Sequence, residues 1–536
     1  MGGFREFATL SVVTFRSPLP DVSIPECSVY EYVFGDTGGD DSRLALIDGL
    51  SGAQTTFSEL RAQVDATAAG LAERGFGLGD VAAVFLPNCS TFAVVLHGIL
   101  RAGGTASTVN VLYTAEELAK QLIDSKAQLV FTVSPLLSRA LEAAEIAGLD
   151  AANVITIDPV EGRLSLADIV RPDLAPPAVT FDPATHLAVL PYSSGTTGKA
   201  KGVMLTHHNL VANIAQAKHL YGVERGDRVL AVLPFFHIYG LVVLLNVQLK
   251  LGAELVILPR FELDTFLGSI ANYRVDHVFV APPVAVVLAK HPDVDKYDVS
   301  CLRSVFSGAA PLDEQLGNAV AERLNCRVSQ GYGMTELSPV SHLIPPGRPD
   351  IPLNSVGIPV PNSENKIIDT ETGVEIEIPA EGESAPGELL VRGPNVMAGY
   401  LGNEEATAAT IEPDGFLHTG DIAVVRADGV VTIVDRLKEL IKYKGYQVPP
   451  AELEALLLTH PGIGDAAVIG VPDPSSGEIP KAFVVRTDQD LTDEAVMTFV
   501  EQKVAPHKRI RQVEFIDAIP KSAAGKILRK DLRARI

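Results

Sequence analysis

The stretch Tyr192-Ser-Ser-Gly-Thr-Thr-Gly-Lys-Ala-Lys-Gly-Val203 follows an apolar run, Leu187-Ala-Val-Leu190, and precedes Met204-Leu-Thr-His-His-Asn209, which predicts the start of a helix. Its twelve residues include two serines, two threonines, two lysines and three glycines. Glycines let backbone N–H groups turn inward around an anion, and hydroxyl and ammonium groups add charge-assisted hydrogen bonds to phosphate. A flexible linker is the alternative, but linkers seldom stand directly between apolar strand and helix patterns. The composition therefore predicts a polyphosphate-binding loop.

This loop lacks the pattern of a Walker A motif, because the next Gly-Lys comes too soon after Gly195 and Ala200 stands where Ser or Thr would hold magnesium. It resembles the signature loop of the adenylate-forming superfamily, Ser-Ser-Gly-Thr-Thr-Gly-x-Pro-Lys-Gly-Val, with Ala200 in place of the proline. That superfamily contains acyl-CoA synthetases, 4-coumarate:CoA ligases, firefly luciferase and the adenylation domains of peptide synthetases. The resemblance implies ATP binding by Ser193, Ser194, Gly195, Thr196, Thr197, Gly198 and Lys201, and a place near Mg²⁺ for Thr196.

Length and composition restrict the class of protein. The chain has 536 residues, of which 47% are apolar and 21% charged, so two or more ordered domains are expected. A net charge of −22 argues against broad binding to nucleic acids or anionic membranes. Four widely spaced cysteines show no metal or disulfide pattern, which indicates a reducing cytoplasm. No apolar signal core or membrane span is expected, since polar residues interrupt the most apolar stretch, 241–258.

Strand-like and helix-like segments alternate over residues 44–180 and again over 228–311. This rhythm predicts an α/β fold with mainly parallel sheets covered by helices. In the second half each strand ends in a Gly- or Pro-bearing loop, and such loops meet where open α/β sheets bind ligands.

The pattern changes near residue 355. Short alternating runs separated by turns, such as Asp428-Gly429, predict a small antiparallel barrel or sheet up to Arg436. The last hundred residues mix strands and helices and predict a separate α+β domain. We therefore expect an N-terminal domain over residues 1–435 and a C-terminal domain over 436–536, which the resemblance implies is mobile.

A second motif is Gln330-Gly-Tyr-Gly-Met-Thr-Glu336. Its glycines can present the tyrosine ring to a flat base, and its carboxylate suits the magnesium that accompanies nucleotide phosphates. An ordinary turn with a core tyrosine is the alternative for this motif alone. By resemblance, Tyr332 stacks on adenine, Thr335 contacts the α-phosphate and Glu336 binds Mg²⁺. The same resemblance adds to the nucleotide site Gln330, Gly331, Gly333, Gly308, Ala309 and Ala310.

A third pattern combines Gly415-Phe-Leu-His-Thr-Gly-Asp421 with Asp435-Arg436. A carboxylate can accept hydrogen bonds from both hydroxyls of a ribose, and a guanidinium can donate to the same diol. Alone, Asp421 would be a turn residue and Arg436 a solvated charge. Together they match the superfamily's ribose-binding motifs, with Phe416 where tryptophan is common, so the resemblance assigns both residues to the ribose.

The C-terminal segment carries two lysine-bearing motifs. In Leu437-Lys-Glu-Leu-Ile-Lys-Tyr-Lys-Gly-Tyr-Gln-Val448 a solvated basic strand is the alternative. The resemblance implies that Lys438 is the hinge, that Lys442 faces the active site during thioester formation, and that coenzyme A contacts Lys444, Gly445, Tyr446 and Gln447. In Pro520-Lys-Ser-Ala-Ala-Gly-Lys526, Lys526 matches the superfamily's catalytic lysine.

His237 lies among apolar residues in Pro-Phe-Phe-His-Ile-Tyr-Gly, where a hydrogen-bonded core histidine is the alternative. The resemblance places it at the acyl pocket and gives it a part in both half-reactions. By the same resemblance the pocket is lined by His237, Tyr239, Val243, Phe306, Ala309, Gly331, Gly333 and Val340.

These motifs occur in the superfamily's order and resemble most the 4-coumarate:CoA ligase branch. The resemblance implies a monomeric or homodimeric ligase that uses ATP, Mg²⁺ and coenzyme A to convert a carboxylic acid through an acyl-adenylate into acyl-CoA. A phenylpropanoid or other aryl acid is expected, and a medium-chain fatty acid is the alternative. A luciferase-like oxygenase, a carrier-protein-loading ligase and a nucleotide-binding regulatory protein without turnover remain open.

Overall fold

The protein is described here from a computed structural model, which describes residues 14–35, 42–193, 200–444, 446–522 and 525–536. Two large mixed sheets, one antiparallel sheet and a fourth sheet formed by the C-terminal segment organise the chain. The strands are β1 (Thr14–Arg16), β2 (Leu44–Asp48), β3 (Gln54–Thr56), β4 (Val81–Val84), β5 (Thr105–Thr108), β6 (Leu129–Thr132), β7 (Val154–Thr156), β8 (Leu187–Val189), β9 (Tyr192–Ser193), β10 (Lys201–Thr206), β11 (Arg228–Ala231), β12 (Glu254–Ile257), β13 (His277–Val280), β14 (Ser304–Ser307), β15 (Arg327–Gly333), β16 (Val340–Leu343), β17 (Ile358–Pro359), β18 (Glu364–Ile368), β19 (Gly387–Arg392), β20 (Gly399–Tyr400), β21 (Leu417–Val425), β22 (Val431–Arg436), β23 (Ile441–Tyr443), β24 (Tyr446–Val448), β25 (Ile463–Asp473), β26 (Gly477–Arg486) and β27 (Gln512–Phe515).

Helices cover these sheets and connect their strands. The α-helices are α1 (Val29–Phe34), α2 (Phe57–Glu73), α3 (Ser90–Arg101), α4 (Ala115–Ser125), α5 (Leu137–Ala147), α6 (Leu166–Ile169), α7 (His207–Ala217), α8 (Gln248–Leu251), α9 (Leu263–Tyr273), α10 (Pro282–Lys290), α11 (Glu314–Leu324), α12 (Glu404–Thr410), α13 (Pro450–Leu458), α14 (Asp493–Glu501) and α15 (Arg529–Arg533). Short 3₁₀ turns occupy Ser134–Leu136, Ala151–Asn153, Pro292–Lys296, Thr335–Leu337 and Pro506–Lys508, and a π-helix occupies Tyr239–Val247.

The first large sheet has the strand order β20-β10-β8-β5-β4-β6-β7, with β9 paired to β10. Its β5, β4, β6 and β7 run parallel, as the alternating pattern predicts, whereas β10 is antiparallel to β8, β9 and β20. The helix predicted to begin within Met204–Asn209 starts at His207, after β10 has continued to Thr206. The Thr206 hydroxyl accepts from the Asn209 N–H, and this cap begins α7 at His207.

The second large sheet has the order β17-β16-β15-β14-β13-β11-β12-β2-β3. Six strands of this sheet run parallel to one another, namely β2, β12, β11, β13, β14 and β15. Their carboxyl ends therefore lie along one edge of the sheet. The loops after β13 and β14 and the end of β15 therefore meet at that edge. The mainly parallel α/β architecture expected from the sequence is confirmed.

The region after residue 355 forms an open sheet, and the barrel alternative is wrong. Its strands follow the order β1-β18-β19-β21-β22, and β1 and β22 lie at opposite edges without pairing to each other within the described residues. The Asp428-Gly429 turn joins β21 to β22 as a hairpin, with Gly429 at a φ of 83°.

The C-terminal segment builds a sheet of order β24-β23-β26-β25, with β27 beside β26. Its apolar residues form clusters of their own, one around Val468 and Val484 and another around Phe483 and Leu532. The largest cluster of the chain, by contrast, runs only from Phe15 to Val431. Across the described residues, no helix combines the length and apolar character that spanning a membrane requires.

Candidate active site

A cleft lies where the loop after β11, the loop after β14 and the end of β15 meet. We call it the central cleft. It is lined by Tyr221, His237, Ile238, Tyr239, Phe306, Gly308, Ala309, Gly331, Tyr332, Gly333, Met334, Thr335, Pro339, Val340 and Lys526. The lining thus brings together residues that are distant in the sequence, from Tyr221 to Lys526. One of them, Lys526, comes from the C-terminal segment.

Close approaches at two glycines form one side of the cleft. A Cβ on Gly333 would lie 2.1 Å from the carbonyl oxygen of Pro339, and a Cβ on Gly308 would lie 2.9 Å from the ring of Tyr239. The main-chain oxygen cannot move aside without the backbone, so Gly333 is required, whereas a side chain at Gly308 would displace the Tyr239 ring. Ala309 has a φ of 72°, a left-handed conformation that costs a residue with a Cβ about 1–2 kcal/mol. Such strain is concentrated at functional sites.

A single carboxylate connects the predicted base and ribose residues. The Tyr332 hydroxyl donates to Asp421 Oδ2 over 2.5 Å, and Arg436 Nε lies 3.2 Å from Asp421 Oδ1. These two contacts are possible because Asp421 and Arg436 face each other in the antiparallel pair of β21 and β22. The Asp421 side chain is only 4% exposed. Burial, and then the neighbouring Asp421 charge, raise the pKa of Tyr332, while the Asp421 charge raises the pKa of Arg436. Tyr332 therefore stays neutral and Arg436 charged.

Glu336 is a buried carboxylate beside the predicted phosphate loop. Its Oε1 accepts from the Tyr400 hydroxyl over 2.9 Å and from the Ser193 hydroxyl over 3.2 Å. Lys201 Nζ lies 4.4 Å from the centre of the Tyr400 ring. Within the described residues Glu336 forms no ion pair at 4 Å or less, so its charge has no direct cationic partner there. A buried anion of this kind fits a bound cation, and Mg²⁺ on a nucleotide usually takes only one or two protein carboxylates.

Lys526 is the ammonium group that lines the cleft. It follows a turn in which the Gly525 N–H donates to the Ser522 carbonyl over 2.8 Å and Lys526 N donates to Ser522 Oγ over 3.2 Å. A Cβ on Gly525 would lie 3.1 Å from Ala281 Cβ, so this turn packs directly on the loop after β13. Removal from water, and then the charge of Arg436, lower the pKa of Lys526 to about 8, although Asp421 and Glu336 oppose the shift.

His237 is neutral in this environment. Its Nδ1 accepts from the Tyr239 backbone N–H over 3.3 Å, which leaves the proton on Nε2. Removal from water, and then the charge of Lys526, lower the pKa of His237 to about 3. The ring can therefore orient a ligand through an N–H group, but it carries no charge near pH 7.

The predicted acyl-pocket residues lie together with one exception. His237, Tyr239, Phe306, Ala309, Gly331, Gly333 and Val340 line the central cleft. Val243 does not; it is 1% exposed and packs in the core. Sequence reasoning missed Tyr221, Ile238, Met334 and Pro339. Tyr221 contacts Phe306 edge-on at 5.0 Å between ring centres, a meeting of distant aromatic residues that no local pattern indicates.

Other predicted residues lie elsewhere. The side chain of Gln330 is 2% exposed and bonds the backbone of Leu312 and Leu353, so it shapes the loop after β14 without lining the cleft. Ala310 also lies outside the lining. Four predicted coenzyme A or thioester residues are exposed and lie outside the cleft, namely Lys442, Lys444, Tyr446 and Gln447. The Tyr446 ring stacks on the His507 ring, with 4.5 Å between the ring centres. Lys438 lies in the connection between β22 and β23. The predictions outside the described residues are Ser194, Gly195, Thr196, Thr197, Gly198 and Gly445.

Known proteins match nearly the whole length of the chain. The family described as AMP-binding enzyme matches residues 38–401, and its C-terminal domain family matches residues 452–526. The chain is 42% identical to "4-coumarate--CoA ligase 2" of Oryza sativa subsp. japonica, over 98% of this chain and 95% of the relative.

Solved structures are similar as well. ATP-bound MatB from Rhodopseudomonas palustris has a TM-score of 0.85 at 30% identity, covering 95% of this chain and 99% of that one. An anthranilate CoA ligase, AuaEII, in complex with anthranoyl-AMP has a TM-score of 0.86 at 26% identity, covering 95% and 97%.

A cleft at the carboxyl edge of a parallel sheet is the place where open α/β folds bind their ligands. The chain belongs to the AMP-binding enzyme family. The resemblance to the 4-coumarate:CoA ligase branch of the adenylate-forming superfamily is confirmed.

Proposed function

We propose that this chain is an ATP-dependent carboxylate–CoA ligase, with a phenylpropanoid or related aryl acid as the favoured substrate. The observation that carries the proposal is that Lys526, Tyr332 and Thr335 line one cleft together with His237. It is supported by relatives named 4-coumarate–CoA ligase at 40–42% identity and by a structural neighbour that holds anthranoyl-AMP. The two half-reactions are acid plus ATP to acyl-AMP and pyrophosphate, and acyl-AMP plus coenzyme A to acyl-CoA and AMP.

In the first half-reaction the nucleotide lies along the side of the cleft that contains the glycines. The Tyr332 ring, fixed by Asp421, faces the base, and Asp421 with Arg436 binds the ribose hydroxyls. Thr335 and Lys526 contact the α-phosphate. The ammonium group neutralises charge that develops as the carboxylate attacks phosphorus, and such preorganised charges supply much of the catalysis of phosphoryl and acyl transfer.

Glu336, with Thr196 of the phosphate loop, would hold Mg²⁺ beside the leaving pyrophosphate. The bound ion would offset negative charge on the phosphate oxygens. Lys201 stands on the same side, above the Tyr400 ring whose hydroxyl orients Glu336. Loss of the Tyr400 hydroxyl would therefore remove one of the hydrogen bonds that orient this carboxylate.

For the second half-reaction the chain divides into an N-terminal domain, residues 1–435, and a C-terminal domain, residues 436–536, that turns about Lys438. The separate apolar clusters of the C-terminal segment support this division. Turning would withdraw Lys526 and bring Lys442, Lys444, Gly445, Tyr446 and Gln447 to the cleft, where Gly445 leaves room for pantetheine. Rearrangement of domains is a known way to assemble a second set of catalytic groups.

The four cysteines are unpaired, in keeping with a cytoplasmic enzyme.

The proposal predicts that the protein consumes free coenzyme A when given ATP, Mg²⁺ and a suitable acid. We expect acyl-CoA and AMP in equal amounts, with 4-coumaric and cinnamic acids converted faster than octanoic acid. The measurement is chromatographic quantification of acyl-CoA and AMP across an acid panel, with reactions lacking coenzyme A as the control. Acyl-AMP formation without any consumption of coenzyme A, for every acid, would contradict the ligase and indicate a different second step, such as oxidation or carrier loading. Faster conversion of octanoic acid would instead favour the fatty-acid alternative.

The lowered pKa of Lys526 predicts a pH dependence. The reactive form of this residue is the ammonium, so kcat/KM of the first half-reaction should fall as pH rises through about 8. The profile of kcat/KM reports groups of the free enzyme, and a limiting slope of tenfold per pH unit is expected above that value. His237 is neutral throughout and adds no step near neutrality. Pyrophosphate exchange between pH 6.5 and 9.5 measures this, and a profile that stays level up to pH 9.5 would remove Lys526 as the titrating group.

A further inference from the structure

Helix α13 belongs to the C-terminal segment and lies directly against β22, the last strand of the antiparallel sheet. Its apolar residues Leu453 and Leu457 pack into the core of the C-terminal segment. The first N–H groups and the last carbonyl groups of any α-helix have no partner inside the helix. Side chains from other parts of the chain can therefore hold a helix by its two ends.

The N-terminal end of α13 is held by Asp435. Pro450 has no N–H, so the first N–H group of the helix belongs to Ala451, and it donates to Asp435 Oδ2 over 3.0 Å. Asp435 lies on β22, which pairs with β21, so this bond joins the antiparallel sheet to the C-terminal segment. Asp435 is 6% exposed, and removal from water raises the pKa of Asp435. Burial of this carboxylate is therefore a cost that the hydrogen bonds it accepts must offset.

The C-terminal end of α13 is held by Lys290. Its Nζ donates to the carbonyl oxygen of Leu458 over 3.1 Å. Lys290 is the last residue of α10, the helix that follows β13 of the second large sheet. Both contacts have the sign that the helix dipole favours, because a carboxylate stabilises the N-terminal end and an ammonium group the C-terminal end. Two charged side chains from the N-terminal part of the chain thus fix the position and the axis of α13.

An ion pair connects α13 to the turn that carries Lys526. Glu454 of α13 lies with its Oε1 2.7 Å from Arg529 Nη2, and these side chains are only 12% and 16% exposed. Arg529 begins α15, which follows the Lys526 turn. The same oxygen of Glu454 accepts from the Val468 N–H over 2.8 Å, so the pair is also fixed to β25. The orientation of α13 therefore determines where the Lys526 turn lies.

We propose that Asp435 and Lys290 are positioning residues for the first half-reaction. By holding α13 at both ends they favour the arrangement in which Lys526 lies in the central cleft. A turn of the C-terminal segment about Lys438 moves α13 relative to β22 and α10, so both bonds break before the second half-reaction. The inference rests on the proposed function and adds to it that these two bonds set the balance between the two arrangements.

The test compares Asp435→Ala with the wild-type protein and with Thr492→Ala as a matched control. The Thr492 hydroxyl accepts from the Ala495 N–H over 3.2 Å at the start of α14, so the control also removes a helix-capping bond, but one that lies inside the C-terminal segment. Pyrophosphate exchange measures the first half-reaction, and acyl-CoA formation from chemically prepared acyl-AMP measures the second. The melting temperature shows whether each variant is folded.

The expected result concerns the ratio of the second rate to the first. Each half-reaction needs one of the two arrangements, so this ratio follows the ratio of their populations. In Asp435→Ala it should rise about tenfold, the effect of losing a hydrogen bond to a charged group. In Thr492→Ala it should stay within about twofold, because a lost cap lowers stability without favouring either arrangement. Lys290→Ala removes a more exposed contact and should raise the ratio about two- to threefold.

An unchanged ratio in folded Asp435→Ala, or an equal rise in Thr492→Ala, would overturn the inference. If Asp435→Ala does not fold, Lys290→Ala provides the test, and an unchanged ratio there would overturn it as well. If the wild-type protein forms no acyl-CoA from any acid, the proposed function fails. An active wild-type protein whose ratio does not respond to these substitutions defeats only the role of Asp435 and Lys290, so the two failures are distinguishable.

Discussion

Replacing Lys526 by alanine is expected to reduce acyl-adenylate formation by about 10²–10³-fold, the range found when one preorganised group that stabilises transition-state charge is removed. The physical reason is that Lys526 is the ammonium of the cleft lining, and its pKa is lowered to about 8 by loss of water and by Arg436. The ammonium is thus held in a poorly solvated site, where its interaction with phosphate is strong. Pyrophosphate exchange measures the loss directly, and equilibrium binding of ATP should change far less.

The matched control for this variant is Lys530→Ala. Lys530 is an exposed lysine of α15, four residues away and outside the cleft, so the same loss of charge should leave exchange within twofold. A second assay starts from chemically prepared acyl-AMP and measures acyl-CoA formation, which does not need Lys526 in the cleft. If Lys526→Ala exchanges pyrophosphate at the wild-type rate, or if both half-reactions fall equally, the assignment of Lys526 to adenylation is wrong.

Replacing Asp421 by asparagine is expected to have the second largest effect, a loss of about 10–100-fold in kcat/KM for ATP, because hydrogen bonds to a charged partner contribute roughly 1.5–3 kcal/mol. The carboxylate holds the Tyr332 hydroxyl at 2.5 Å and Arg436 at 3.2 Å, so the amide weakens the base and ribose contacts together. Steady-state kinetics with varied ATP measures the loss, and it should appear for every acid by the same factor.

Tyr332→Phe separates the two contributions. It keeps the ring that faces the base and removes only the bond to Asp421, so it should cost less than Asp421→Asn. A loss in Asp421→Asn that depends on the acid, or one smaller than that of Tyr332→Phe, would contradict the role proposed for the carboxylate. Thermal unfolding should be followed in both variants, because a buried group left without its partner also lowers the free energy of unfolding.

Much of the fold could be predicted because local patterns agree with it. The Asp428-Gly429 turn joins β21 and β22, as this pair of residues predicts. The strands before each Gly- or Pro-bearing loop are short and apolar, and their loops converge as parallel topology requires. The open form of the antiparallel sheet could not be predicted, since closure depends on which edges meet and not on the pattern within a strand.

The candidate site likewise combines features that the sequence predicts with features that it does not. Motifs place Tyr332, Asp421 and Lys526 by resemblance, but nothing in the sequence shows that one carboxylate bonds both Tyr332 and Arg436. The π-helix lies in a mostly apolar stretch of sequence. Such a stretch does not indicate whether the hydrogen bonds of its helix join residues four or five positions apart. Val243 is expected in the pocket by resemblance, but the structure buries it in the core. Packing between segments that are distant in sequence determines these features.

The two sides of the central cleft differ in how freely they can change during evolution. At Gly333 the main-chain oxygen of Pro339 lies 2.1 Å from the position of a Cβ, so a substitution there requires the backbone to move. Phe306 and Val340 instead shape the cleft with side chains that can be exchanged one at a time. A lineage built on this scaffold can acquire new acids by single substitutions while its cosubstrate stays fixed.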